Sequence, residues 1–260
     1  MQKFLRQLSC WRYILLMPVL LSGIATVAQN AEETSAWMER IKVILTGEKT
    51  GRQLLYRLDT LKLEFIPSRS RVVDYFNRDL DFGYGHRRLN VELNMSMYQI
   101  DLLCFHDTIY LSSVITDPEF YWEPDLSWRQ CDSTNTMSYL SRRNKFYRSK
   151  KDISQLFREI SLDEEYAFYC GYADSKTEKG KYIDSLVNAE DVSTLTDMLK
   201  SINCETQAYG VAGLERLQRK DTDLSPEVTA LIRYIKRRNS ELKICSGCLR
   251  GLVNRVYSGK

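Results

Sequence analysis

The chain has 260 residues, of which 43% are hydrophobic and 27% charged, and its formal net charge is +3. This composition is that of a globular protein and excludes a wholly disordered chain. Three of the 37 basic residues and none of the 34 acidic ones lie in residues 1–28, so the rest of the chain carries 34 charges of each sign. A neutral chain lacks the positive field of a nucleic-acid-binding protein, and no nucleic-acid partner is expected.

Residues 1–28 look like a secretory signal peptide. A basic start precedes an apolar run over residues 13–21, and small residues follow up to Ala28. We expect cleavage near Ala28 and an exported protein, which is periplasmic, bound in the cell envelope or secreted. The alternative is an uncleaved membrane anchor, but the run is shorter than the ~20 residues of a spanning helix and contains Pro18. Contact with a membrane is therefore expected only if the leader is retained.

Two helical patterns follow the leader. An apolar stripe from Trp37 to Leu45 predicts a helix that ends at Gly47. A second stripe begins at Arg52 and predicts a short helix that passes into a strand near Leu61.

Residues 68–88 are polar and predict a connection with one short element over residues 72–76. Asp79 and Asp81 precede Gly83 there, but the later ligands of an EF-hand calcium loop are missing. We interpret this stretch as a turn with solvated carboxylates.

The clearest β pattern comes next. Apolar and polar residues alternate over residues 89–98, which predicts a strand with one buried face. Two further apolar runs, 100–105 and 108–115, complete an antiparallel hairpin or meander. Cys104 and His106 are two apart on a predicted strand and form the best nucleophile–base pair in the chain, although no local motif supports catalysis.

Aromatic and basic residues dominate the middle of the chain. Tyr121, Trp122 and Trp128 are candidate ligand-binding aromatics, since such rings stack on sugars or pack at interfaces, and the alternative is that they cover the edge of a core. Six basic residues with Phe146 and Tyr147 follow over residues 142–151. They could contact anionic glycans or lipid head groups, or form a solvated loop before a helix that starts after Asp152.

The C-terminal third predicts helices in succession. Capping residues and apolar stripes indicate one helix after Asp191, a second from about Glu205 and a third after Ser225. The sequence NCETQAYGVAGLERL in the second arm of this hairpin resembles one unit of a HEAT-type repeat, and such repeats need about three copies to bury their faces. No second copy occurs, so the resemblance implies packed helices rather than a solenoid.

We therefore predict an α+β fold in which an antiparallel β-sheet with flanking helices is followed by a small C-terminal helical part with a HEAT-like hairpin. The predicted division is a domain over residues 29–173, a linker over 174–182 and a helical domain over 183–260.

Six cysteines remain after the leader, and Cys245 and Cys248 form a CxxC motif. A zinc site would need two more ligands, and a thioredoxin-like site would lie near the start of a βαβ unit. The remaining interpretation is structural: a local disulfide, a link from Cys204 to either of the pair, or buried thiols.

Taken together, these observations favour an exported, non-enzymatic protein that binds a protein or a glycan. No cofactor or metal is expected, because no phosphate-binding or metal-binding motif occurs. The alternatives are an exported enzyme, as a thiol–disulfide oxidoreductase using Cys245 and Cys248 or as a hydrolase, and a membrane-tethered envelope component.

Overall fold

The computed structural model describes residues 35–63, 70–93, 96–116, 126–172 and 175–257. The chain divides into two compact units, Met1–Gly47 and Glu48–Lys260. The first unit contains helix α1 over residues 35–47, which ends at the predicted glycine. Within it, Lys42 Nζ donates to Glu39 Oε1 at 2.6 Å. All later elements belong to the second unit.

A five-stranded antiparallel sheet is the centre of the second unit, and each strand pairs with the next along the chain. This arrangement confirms the predicted α+β class. The strands are β1 (Ser70–Asp79), β2 (Tyr84–Leu93), β3 (Ser96–Phe105), β4 (Thr108–Thr116) and β5 (Leu126–Cys131).

Strand β1 lies where the sequence predicts a connection with one short element. Buried and exposed side chains alternate at the end of β1, but the hydropathy of the sequence does not show this alternation. The reason is that Arg78, one of the inward-facing side chains, is charged and yet only 2% exposed. The turn after β1 also differs from the prediction. Asp81 is 1% exposed and is not a solvated carboxylate.

The predicted strand over residues 89–98 is two strands. Strand β2 ends at Leu93 and β3 begins at Ser96, with Leu93 opposite Ser96 across the hairpin. A two-residue connection changes which residues face inward, because the paired positions 93 and 96 share a face. Tyr98 is therefore fully buried, although the alternation placed it among the polar positions.

Eight helices occur in the described residues, and most of the predicted ones are present. Helix α2 extends through Leu63, beyond the predicted change to a strand near Leu61. Helix α3 was not predicted, because the aromatic and basic composition of residues 116–151 does not show a helical pattern. After α1, the helices are α2 (Gly51–Leu63), α3 (Ser133–Tyr147), α4 (Ile153–Ser161), α5 (Glu178–Asn188), α6 (Val192–Leu199), α7 (Cys204–Gln218) and α8 (Pro226–Arg238).

Capping explains several helix starts. Asp152 forms a capping box with Gln155 at α4, while Asp191, Asn203 and Ser225 accept bonds from the first turns of α6, α7 and α8. Helix α5 begins at Glu178, inside the segment predicted as a linker. The domain division and the likeness of α6 and α7 to a HEAT unit stay predictions.

The chain does not end in helices alone. Strands β6 (Glu241–Ser246) and β7 (Leu249–Arg255) form a separate antiparallel hairpin that includes the CxxC motif. The helical description of residues 183–260 is wrong for this hairpin. Apolar and charged residues alternate over only a few positions of this hairpin. Because the pattern is so short, the two strands were not predicted from the sequence.

Among the described residues of the second unit, two buried apolar clusters involve the helices from α3 onwards. One joins the sheet to α3, α4, α7 and β6, and the other lies among α5, α6, α7 and α8. Tyr166 and Tyr257 pack against both clusters, so the apolar interior is continuous across the predicted linker.

Helices α6 and α7 approach closely in this interior. A Cβ atom placed on Gly210 would lie 2.9 Å from the carbonyl oxygen of Leu195, so the absence of a side chain permits the contact.

A buried ionic cluster fixes the helices to the sheet. Asp81, in the turn between β1 and β2, accepts from Arg143 Nε at 2.9 Å, from Arg238 Nη1 at 2.5 Å and from the Tyr147 hydroxyl at 2.8 Å. Burial alone would raise the pKa of Asp81, but Arg238 and Arg143 outweigh it and lower the pKa below its ordinary value. We call Asp81, Arg143, Tyr147 and Arg238 the Asp81 cluster.

The two guanidinium groups of this cluster also reach other helices. Arg143 donates to the carbonyl oxygens of Lys200 and Ser201 just after α6, and Arg238 donates to the side chain of Gln207 in α7. One turn carboxylate thus connects four helices, either directly or through its arginines.

We predict that Asp81→Asn destabilises the protein by about 3–5 kcal/mol, because it leaves two buried arginines without their counter-ion. Urea unfolding followed by circular dichroism measures this loss.

The matched control is Asp79→Asn, because Asp79 is 68% exposed and lies 3.6 Å from the half-exposed Arg255. Its expected cost is below about 1 kcal/mol. Equal losses for the two variants would contradict the role given to Asp81.

Candidate functional site

The predicted Cys104–His106 pair does not form an accessible catalytic site. Cys104 is buried in β3, and burial raises the pKa of its thiol to about 12. His106 is exposed in the turn between β3 and β4, where it and Asp107 have φ angles of 47° and 72°. The turn therefore places the imidazole in solvent, away from the buried thiol.

Of the three candidate ligand-binding aromatic residues, the structure describes only Trp128. Tyr121 and Trp122 lie outside the described residues. Trp128 is half-buried in strand β5, opposite Val114 of β4.

The cysteines differ from the arrangements expected for the CxxC motif, because the partner of Cys245 is neither Cys248 nor Cys204. Cys245 forms a disulfide with Cys170, 75 residues earlier in the chain. Cys204 is a buried free thiol in the apolar interior, and Cys248 is an exposed free thiol at the hairpin tip. In the described part of the chain, no three His, Cys, Asp or Glu residues are placed to hold a metal ion.

A second buried ionic cluster lies on the face of the sheet that is covered by α4 and α7. Asp101 is fully buried and accepts from Arg88 Nε at 2.7 Å and from His86 Nε2 at 2.8 Å. The other ring nitrogen, Nδ1, accepts from Arg78, whose Nη1 donates to Glu205 of α7 at 2.5 Å. We call these five residues the Asp101 cluster.

The partners of His86 determine its protonation state. Arg78 can only donate and ionised Asp101 can only accept, so the imidazole must be neutral with its proton on Nε2. Burial is the main cause that lowers the pKa of His86 to about 4, and Arg78 lowers it further. Burial would raise the pKa of Asp101, but Arg88 and His86 lower it to about 2.

The charged side chains of the Asp101 cluster are held in place by one another and are not accessible to a substrate. Arg78, His86, Arg88, Asp101 and Glu205 are each at most 2% exposed. Arg88 also donates to the carbonyl oxygens of Ile160 and Leu162 at the end of α4, both at 3.2 Å. The cluster therefore attaches helices to the sheet and has no exposed reacting group.

The structure contains an open groove of about 540 Å³ on the helical side of the second unit. Its walls are the end of α3, the end of α6 and one face of α8. The lining residues are Phe146, Tyr147, Arg148, Thr196, Lys200, Ser225, Glu227, Val228, Ala230, Leu231, Tyr234 and Arg237.

Aromatic rings form one end of the groove. The Phe146 ring lies 4.7 Å from that of Tyr234 and 4.9 Å from that of Tyr147, measured between centroids. Phe146 is 40% exposed, so part of this aromatic group faces solvent. Val228 and Leu231 of α8 continue the apolar surface.

Basic residues surround this apolar surface. Arg148 and Arg237 are exposed, and neither forms an ion pair within the residues that the structure describes. Lys200 pairs with Asp197, which is itself 70% exposed. Glu227 is the one carboxylate among the lining residues, so they carry three positive charges against one negative charge.

The Asp81 cluster lies behind the groove and positions its three walls. Tyr147 belongs to both, Arg143 binds the carbonyl oxygen of Lys200, and Arg238 directly follows Arg237. The shape of the groove therefore depends on a buried ionic network.

The sequence predicts part of one wall of the groove. It identified the basic patch with Phe146 and Tyr147 but gave no indication that α6 and α8 supply the rest. In α8, Tyr234 and Arg237 lie outside the apolar stripe that indicates this helix in the sequence. Their position outside this stripe was the one available indication that they could be exposed.

No known protein family matches this chain, and no characterised protein or solved structure is significantly similar to it.

We predict that the free energy of unfolding falls as the pH is lowered from 7 to 4.5. Unfolded histidine binds a proton near pH 6.5, whereas folded His86 does so only near pH 4. The unfolded state holds more protons in this window, so acidification favours it, by about 2 kcal/mol. The contribution of Asp101 is lost only below about pH 4, outside the window.

The test compares urea unfolding at pH 7 and pH 4.5 for His86→Gln and His106→Gln. Glutamine at position 86 can donate and accept as the neutral imidazole does, so this variant should lose most of the His86 contribution. His106→Gln should keep the pH dependence of the wild type. The reverse result would show that buried His86 is not the titrating group.

Proposed function

We propose that the protein is an exported, non-enzymatic binding protein and that the groove between α3, α6 and α8 holds a segment of a protein partner. The observation that carries this proposal is the open apolar groove with an aromatic group at one end, of which the Phe146 ring is exposed. A cavity of this size lined by apolar and aromatic side chains with a few charged groups is typical of a binding site.

The lining favours a peptide segment over a glycan. Val228, Ala230 and Leu231 give the groove an aliphatic wall that offers no hydrogen bonds to sugar hydroxyls. Aromatic residues and arginines are also the residues that dominate the energy of protein interfaces. The partner segment is expected to carry apolar side chains together with acidic ones, because the lining residues carry three positive charges against one negative charge.

Export rests on the sequence of the leader and is supported by the disulfide. A bond such as Cys170–Cys245 is typical of oxidising compartments. Among the residues that the structure describes, no helix has the length and apolar character needed to cross a bilayer.

The groove does not resemble a catalytic site. Its lining contains neither His nor Cys, and its one carboxylate, Glu227, is near the exposed Arg148 rather than a second acid. Acid–base chemistry by paired carboxylates would need a second acid, and attack by the hydroxyl of Thr196 or Ser225 would need an imidazole base, and the lining contains neither.

The proposal predicts that display of random peptides selects ligands rich in acidic and apolar residues. Phe146→Ser and Arg237→Glu should each weaken the best selected peptide by about tenfold or more, since one removes the exposed aromatic ring and the other reverses a positive charge of the lining. Affinity is measured by fluorescence anisotropy, and binding should weaken further as salt is added.

Tyr172→Ser is the control variant, because Tyr172 is 91% exposed and is not part of the groove. It should bind the peptide as the wild type does. Selected peptides that bind all three variants equally would place the site elsewhere. Failure to select any peptide, with binding of dodecanoate at the groove instead, would replace the protein partner with a small amphipathic anion.

A further inference from the structure

The tip of the β6–β7 hairpin brings a disulfide and a free thiol together. The chain reverses at Gly247 and Cys248, and Cys248 is exposed. The Sγ atom of Cys245 lies 3.4 Å from the carbonyl oxygen of Gly247. That oxygen belongs to the peptide group that joins Gly247 to Cys248, so the disulfide sulfur is next to the backbone that carries the free thiol.

Contacts other than the disulfide hold Cys170 at this hairpin. Gly171 N donates to the carbonyl oxygen of Gly247, and Tyr166 N donates to that of Lys243, each at 2.8 Å. The segment that carries Cys170 is therefore attached on both sides of the cysteine. Opening of the disulfide would leave the two sulfurs close enough to reform it.

The other free cysteines that the structure describes are not placed for this chemistry. Cys104 and Cys204 are buried, and Cys131 lies on β5 in the other sheet. A buried thiol is shielded from attack and from solvent, whereas an exposed thiol is accessible and supplies more thiolate as the pH rises.

We propose that Cys170, Cys245 and Cys248 form a thiol–disulfide exchange site. The thiolate of Cys248 attacks Sγ of Cys245, a Cys245–Cys248 bond forms and the Cys170–Cys245 bond breaks. Cys170 leaves as a thiolate and takes up the proton that Cys248 lost, so the step is redox-neutral and needs no other reactant. The exchange is independent of the groove and of its ligand.

The exchange moves the free thiol to a different surface. Cys170 lies between Tyr169 and Tyr172, which are 52% and 91% exposed. The site therefore has two states, with the thiol either at the hairpin tip or within an aromatic surface. A second thiol or disulfide of a partner protein is the class of molecule that would react differently with the two states.

Trypsin provides a direct assay, because cleavage after Lys243 and Arg250 leaves Cys245 and Cys248 in one peptide, 244–250. Cys170 lies in a different peptide, 159–176. The native protein is incubated at pH 6 or pH 8.5, its free thiols are blocked with maleimide, and the digest is analysed by mass spectrometry. Samples are taken over time after transfer to each pH, and we expect maleimide on Cys170, with an internal disulfide in peptide 244–250, to appear about tenfold faster or more at pH 8.5, because the supply of thiolate sets the rate of exchange.

Cys248→Ser should keep Cys170 fully linked to Cys245 at both pH values, and Cys131→Ser should behave as the wild type. Absence of labelled Cys170 in the wild type at pH 8.5 would overturn the proposal. Equal labelling of Cys170 in Cys248→Ser would overturn it as well, since another thiol would then be the attacking group. If a variant fails to fold, the wild-type digest still tests the proposal, because labelled Cys170 together with the internal disulfide of peptide 244–250 is the product of the exchange.

Discussion

The structure of residues 48–260 depends on the burial of one carboxylate, Asp81, between two arginines that come from distant parts of the chain. A buried charge is tolerated only when it is paired and hydrogen-bonded, so Arg143 and Arg238 must both arrive for the turn to be stable. Their remaining donors bind carbonyl and amide oxygens of α6 and α7. The apolar clusters supply most of the burial, but they are not directional. The ionic contacts select one arrangement of helices, and that arrangement creates the groove.

The fold class and most helices could be predicted because capping residues and apolar stripes are local signals. The buried ionic clusters could not. Arg78 and Arg143 look like solvated residues in any hydropathy pattern, and only their three-dimensional partners make burial favourable. The same reason concealed β1 and α3, which contain these residues. The groove was found only in part, since its walls come from three segments whose proximity depends on Asp81. The Cys170–Cys245 bond likewise joins residues whose separation gave no indication of pairing.

The two faces of the sheet contribute differently to the fold. On one face, Leu89, Val91, Ile100 and Leu102 are fully buried and purely apolar. On the other face, the Asp101 cluster continues through Gln99, which donates to the carbonyl oxygen of Ser161 at 3.0 Å. Apolar contacts tolerate small shifts, whereas this hydrogen-bonded face fixes the sheet against the end of α4 and the start of α7. A rigid support of this kind keeps a binding groove in one shape and reduces the entropy lost on binding.

The buried thiols Cys104 and Cys204 have a consequence for the order of events during folding. Six cysteines after residue 28 allow 15 complete pairings, and oxidation of an unfolded chain would form wrong bonds among them. Once the interior has closed, Cys104 and Cys204 are protected and the competition is confined to the more accessible cysteines. Collapse of the interior must therefore precede oxidation. Correct pairing is then favoured when the Asp81 turn acquires its arginines before the thiols oxidise.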